Sequence, residues 1–161
     1  MKASKPGFTM IEVMVVIAIV AILAMLAIPG YQNRIIREQV LEAAPLTDIS
    51  KKQIAAVWTA AHALPSDNAS AELPVPEKMV NNFVASVTIE AGAIQVTFGN
   101  RANKFLQGKI LTIRPAVVED APIVPIAWVC GYAPVPGNMT AKGENRTSIP
   151  ANYLPVNCQA G

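Results

Sequence analysis

Sixteen consecutive apolar residues, 13–28, stand near the start of the chain, and a single carboxylate, Glu12, sits immediately before them. As a helix, residues 10–28 extend roughly 28 Å at 1.5 Å per residue, enough for a hydrocarbon core of about 30 Å. That run absorbs much of the apolar excess of a chain that is 52% hydrophobic, 15% charged and has mean hydropathy +0.36. The rest of the 161 residues supports one domain and not two. Its thirteen prolines avoid the apolar run, and seven of them fall within 115–155, which favours short strands and turns there over long helices.

Three readings of the apolar run compete. A secretory signal peptide ends in a small-x-small cleavage site, but Ala24 and Ala27 are three apart and Ile28, Pro29 and Gly30 substitute poorly. A plain membrane anchor explains the length but not Glu12, since a charge at the centre of a span costs about 2.5–3.5 kcal/mol and usually signals function. The third reading takes in the residues on either side. Pro6 separates a short basic leader, with Lys2 and Lys5, from the helix. Gly7 admits a protease to its bond with Phe8, and cutting there creates an α-amine one helical turn from Glu12. In a bundle of such helices, Glu12 of one copy pairs with the Phe8 amine of the next, so that neither charge is buried alone. The basic leader stays cytoplasmic and sends the remainder outward, although Arg34 and Arg37 beyond the run weaken that charge asymmetry.

Residues 5–16, Lys-Pro-Gly-Phe-Thr-Met-Ile-Glu-Val-Met-Val-Val, and the close Ala27, Ile28, Pro29, Gly30, Tyr31 resemble the class III signal and N-terminal helix of type IVa pilins. Ala21, where many members of that family carry glycine, departs from the pattern. The resemblance implies a leader of residues 1–7 removed by a prepilin peptidase after Gly7, N-methylation of Phe8, and assembly by pilus machinery. It further implies a segment, 8–30, that serves first as inner-membrane anchor and then as filament core. The head, 31–161, is then periplasmic before assembly and extracellular in the finished fimbrium.

Within the head, Ile35, Ile36, Val40 and Leu41, then Leu46, Ile49, Ile54, Val57 and Trp58, recur at helical spacing, so residues 31–61 read as one amphipathic helix bent at Pro45. Residues 62–82 read as a loop, with His62 at its surface. Alternation about Val87 and Ile89, then Ile94, Val96 and Phe98 across an Ala91, Gly92 turn, predicts a hairpin. Segments about Leu111 and Ile113, then Ile126, Trp128 and Cys130, complete an expected four-stranded antiparallel sheet within 83–132. The fold class is α+β, a long bent N-terminal helix packed on a small sheet. Cys130 and Cys158, the only cysteines, read as one disulfide closing the C-terminal loop of an exported protein, against the alternative of two buried thiols. Residues 128–130 and 153–158 also resemble the disulfide-bounded region of type IVa pilins, which pseudopilins of type II secretion stabilise differently.

Removing Lys2 and Lys5 leaves 11 basic residues, equal to the 11 acidic ones. Residues 96–161 nevertheless hold 6 basic against 3 acidic. Arg101, Lys104, Lys109, Arg114, Lys142 and Arg146 read either as solvated charge or as a strip that binds DNA or anionic surfaces along a filament. Asn68, Asn138 and Asn145 match the N-glycosylation pattern, read as coincidence in a bacterial-looking chain. No catalytic constellation, cofactor motif or metal-ligand spacing accompanies the single histidine. The leading expectation is a homopolymeric major pilin working in adhesion, twitching motility and DNA uptake, with host surfaces as further partners. The alternatives are a minor pilin serving as a DNA receptor and a secretion pseudopilin.

Overall fold

The computed structural model describes residues 7–161, with the backbone alone at 27–29. Lys2, Lys5 and Pro6 of the expected leader lie outside the described residues. The chain divides into two compact units, one ending at Ile35 and the other Ile36–Gly161.

The first unit is the N-terminal part of α1, Met10–Leu41. Every residue from 10 to 26 is exposed, and the helix is long and apolar enough to cross a membrane. Helical backbone continues through 27–30, so Pro29 and Gly30 do not end it.

In the second unit, α1 stops at Leu41 and α2, Ala44–Ala61, begins after a turn at Glu42 and Ala43. The expected bend is therefore present but precedes Pro45, which occupies the first turn of α2, where its missing N–H leaves no hydrogen bond unmade. The carbonyl just beyond α1 is capped from a distance, Asn81 Nδ2 donating to Glu42 O at 2.8 Å. The buried stripe nevertheless runs on through the turn, from Ile36, Val40 and Ala43 to α2. Thr47, Ser50 and Ile54 are the buried stripe of α2, whereas Ile49, expected on the apolar face, is exposed. Thr47 and Ser50 can be buried because their hydroxyls donate to Ala44 O and Leu46 O within the helix. His62 ends α2 in a left-handed conformation, its N–H bonded to Trp58 O.

The four expected strands are β1 Val84–Glu90, β2 Ala93–Phe98, β3 Ile110–Val117 and β4 Ala127–Cys130, antiparallel in that order. Ala91 and Gly92 both have positive φ, the geometry of a tight hairpin turn. A fifth strand, β5 Thr140–Ala141, was not expected and pairs with β3 beyond the end of β2. Val87, Ile89, Ile94, Val96, Phe98, Leu111 and Ile113 share one face by register and join Ile36, Val40, Ala43 and Ile54 in the core.

The opposite face is covered as well, contrary to the alternation read from sequence. Gln95 and Thr112, register partners, are both buried, and Thr112 Oγ1 donates to Gln95 Oε1 at 2.6 Å. A strap, residues 142–148, crosses above them. Lys142 N donates to Pro115 O on one edge of β3, and Ser148 N donates to Ile110 O on the other. Between these, Glu144 O accepts from Gln95 Nε2 and Arg146 N donates to Thr112 Oγ1. The C-terminal region thus has anchors besides its disulfide, with Ile149 and Leu154 also fully buried.

Candidate functional site: the N-terminal segment and the basic loop

The helix begins where the sequence places a processing point. Gly7, Phe8 and Thr9 precede α1 and are not helical, and Phe8 is 87% exposed. Thr9 Oγ1 accepts from Glu12 N at 3.3 Å, while Glu12 Oε2 accepts from Thr9 N and Thr9 Oγ1, each at 3.1 Å. This reciprocal capping box satisfies two helix-start donors and puts a carboxylate at the positive end of the helix dipole. Reading Glu12 for its charge alone missed Thr9; a Thr-x-x-Glu spacing just ahead of an apolar run is the signal that finds it. Glu12 is thus hydrogen-bonded within its own chain, and an intermolecular partner would exchange for, or add to, Thr9.

Cys130 and Cys158 form a disulfide that ties the end of β4 to a short 3₁₀ helix, Val156–Cys158. Tyr132 N donates to Cys158 O at 2.9 Å beside the bridge.

The basic residues separate into groups. Lys142 Nζ is 2.6 Å from Glu119, and this partner holds the Glu119 carboxyl below its ordinary range. Arg146 contacts Glu144 and Glu90, which further favour its charged form. Arg114 lies in β3 itself, half-buried, its Nε shielded from solvent without an acceptor. Arg101, Lys104 and Lys109 share the loop between β2 and β3, which contains no acidic residue. All three are exposed, and none pairs with a carboxylate among the described residues. The loop itself is firmly held. Leu106 is fully buried, Leu106 N and Gln107 N both donate to Asn103 O, and Asn103 N donates to Gln39 Oε1 in α1 at 2.8 Å. Phe105, exposed by 43%, stacks on Tyr153 at 5.8 Å between ring centroids, and Lys104 Nζ lies 5.2 Å from the Phe105 centroid. Sequence reading found the charges but not the two rings.

Of the three asparagines in glycosylation-like contexts, Asn68 is only 5% exposed and its side chain is fully engaged by the protein. Among the described residues, no cluster of three or more His, Cys, Asp or Glu is placed to hold a metal ion.

Residues 37–159 match the pilin (bacterial filament) family, and residues 2–28 match the prokaryotic N-terminal methylation motif. The chain is 34% identical over 168 residues to a type IV major pilin protein PilE of Neisseria gonorrhoeae, covering 99% of this chain and 96% of that one. It is 32% identical to a fimbrial protein of Neisseria meningitidis serogroup A, with the same coverage, and 31% identical to the fimbrial protein EcpC of Eikenella corrodens, covering 99% and 94%. An apolar helix opened by Thr9 and Glu12, a disulfide-closed sheet head and full-length similarity to these proteins together mean that the chain belongs to the pilin family, among the type IV pilins.

Proposed function

We propose that this chain is the major structural subunit of a type IV pilus, polymerised through its N-terminal helix. The observation that carries the reading is the exposed apolar helix, residues 10–26, with Glu12 in its first turn, four residues after Phe8. Full-length similarity to proteins named as major pilins supports it. A prepilin peptidase cuts between Gly7 and Phe8, and Phe8 becomes the N-methylated first residue. The helix anchors the subunit in the inner membrane with the head in the periplasm. On assembly, Glu12 shares its carboxylate with the Phe8 amine of a neighbour, which neutralises both charges and sets the axial stagger. The filament serves attachment and twitching motility. Mass spectrometry of sheared filaments tests the proposal. The dominant species should lack residues 1–7, carry one methyl group and retain the disulfide; a trace species among other subunits points to a minor pilin instead. In cells making both forms, Glu12→Val subunits should be under-represented in filaments, and equal incorporation refutes the neutralisation step.

A second reading concerns Arg101, Lys104 and Lys109. An acid-free loop carrying three exposed cations favours phosphate binding, multiplied by repetition along a filament. Arg114 extends the strip only if its half-buried side chain turns outward.

A further inference from the structure

We infer that the loop between β2 and β3 is a binding platform for single-stranded nucleic acid, with Phe105 and Tyr153 stacking on bases while Arg101, Lys104 and Lys109 hold the adjoining phosphates. The inference rests on the anion-binding reading of this loop and adds the class of ligand. Cations alone fit any polyanion. What narrows the choice is a half-exposed phenyl ring, stacked on a tyrosine and 5.2 Å from Lys104 Nζ, in an acid-free loop that also carries Arg101 and Lys109. An exposed aromatic beside phosphate-binding cations presents a flat apolar surface next to positive charge. Unpaired bases offer both complements, a π-face and a phosphate, whereas duplex DNA keeps its bases stacked inward.

The platform is built in advance. Leu106 is fully buried beneath the loop, Phe105 N donates to Asn103 Oδ1, and Asn103 is fastened to Gln39. Tyr153 is held in a 3₁₀ turn, Ala151–Tyr153, whose Asn152 O accepts from Arg37 Nε at 3.0 Å. Little ordering is left to occur on binding. Lys104 Nζ now lies near the Phe105 ring, a weak contact at an exposed site. A base arriving on the ring displaces it, and the freed ammonium is within its own side-chain length of the phosphate next to that base.

The test uses assembled filaments and three fluorescent probes, an oligothymidine of about twenty nucleotides, a duplex of the same length and inorganic polyphosphate, with affinity measured at fixed salt. Phe105→Leu keeps apolar volume and removes the π-face. It should weaken oligothymidine binding about tenfold, within the range for one lost base stack, and leave duplex and polyphosphate binding within about twofold. Phe105→Trp should restore or strengthen single-strand binding. If Phe105→Leu changes no probe, or all three alike, the stacking platform is refuted. The phosphate reading then stands if replacing Arg101, Lys104 and Lys109 with Gln lowers binding of all three. Wild-type filaments that bind none of the probes overturn both.

Discussion

Asn68 holds one edge of the sheet, and replacing it should cost more than its place in a long loop suggests. β1 pairs only with β2, so its other edge has free backbone groups. Asn68 Oδ1 accepts from Ile89 N at 2.7 Å, and Asn68 Nδ2 donates to Val87 O at 2.9 Å and to Pro74 O at 3.0 Å. One buried side chain therefore imitates a neighbouring strand and closes the edge against other chains. In Asn68→Ala the Ile89 N–H and Val87 carbonyl lose their partners, at about 1–3 kcal/mol for each buried group left unpaired. Allowing for some entry of water, the loss should be about 2–4 kcal/mol. With a urea dependence of about 1–3 kcal/mol per molar, the unfolding midpoint should fall by about 1–2 M. The full chain in detergent, followed by Trp58 and Trp128 fluorescence, provides the assay. Asn68→Asp keeps the acceptor for Ile89 but loses the donor and buries a charge, so its midpoint should be at least as low. If Asn68→Ala unfolds at the wild-type midpoint, the side chain is not what closes this edge.

Gly143 holds φ +81°, and a Cβ there would come within 2.5 Å of Ala93 Cβ. Gly143→Ala should cost about 1–3 kcal/mol and loosen the strap, read as faster amide exchange at Thr112 and Arg146 while Ile54 stays protected; uniform loss of protection counts against a local strap. The Asp67 carboxyl is held below its ordinary value of 3.8, mainly because Ser70 N donates to it, so its stabilising effect is present above that value and lost as pH falls through the lower folded one. The stability difference between wild type and Asp67→Ala should thus be constant near neutrality and shrink as pH falls below 3.8, and a pH-independent difference excludes this linkage.

Much of the fold is legible because it depends on local periodicity. The apolar run, the hairpin around Ala91 and Gly92, and the strand holding Trp128 and Cys130 each follow from side chains a few residues apart. The positive φ of Ala91 and Gly92 then gives a two-residue turn. What the sequence pattern misread was the second face of the sheet. Gln95 and Thr112 look like solvent-facing positions in alternating strands, yet both are buried beneath Glu144, Asn145 and Arg146, about 50 and 34 residues away in the chain. In α2 the expected face holds at Leu46, Ile54, Val57 and Trp58 but not at Ile49, which is exposed, while Thr47 and Ser50, polar by type, are buried.

At the candidate site the division is similar. The proposed roles of Gly7, Phe8 and Glu12 rest on sequence alone, whereas the apolar run is legible because a membrane-length helix with one acidic residue at its start is a property of consecutive residues. Thr9 belonged to the same local pattern. The grouping of Arg101, Lys104 and Lys109 was readable as loop charge, but only the tertiary structure decided that Lys142 and Arg146 are matched by Glu119, Glu144 and Glu90. It also set Tyr153 beside Phe105 across 48 residues of chain. Charge pairing and ring stacking act through space, so the chain order fixes which residues exist and the folded head decides which of them meet.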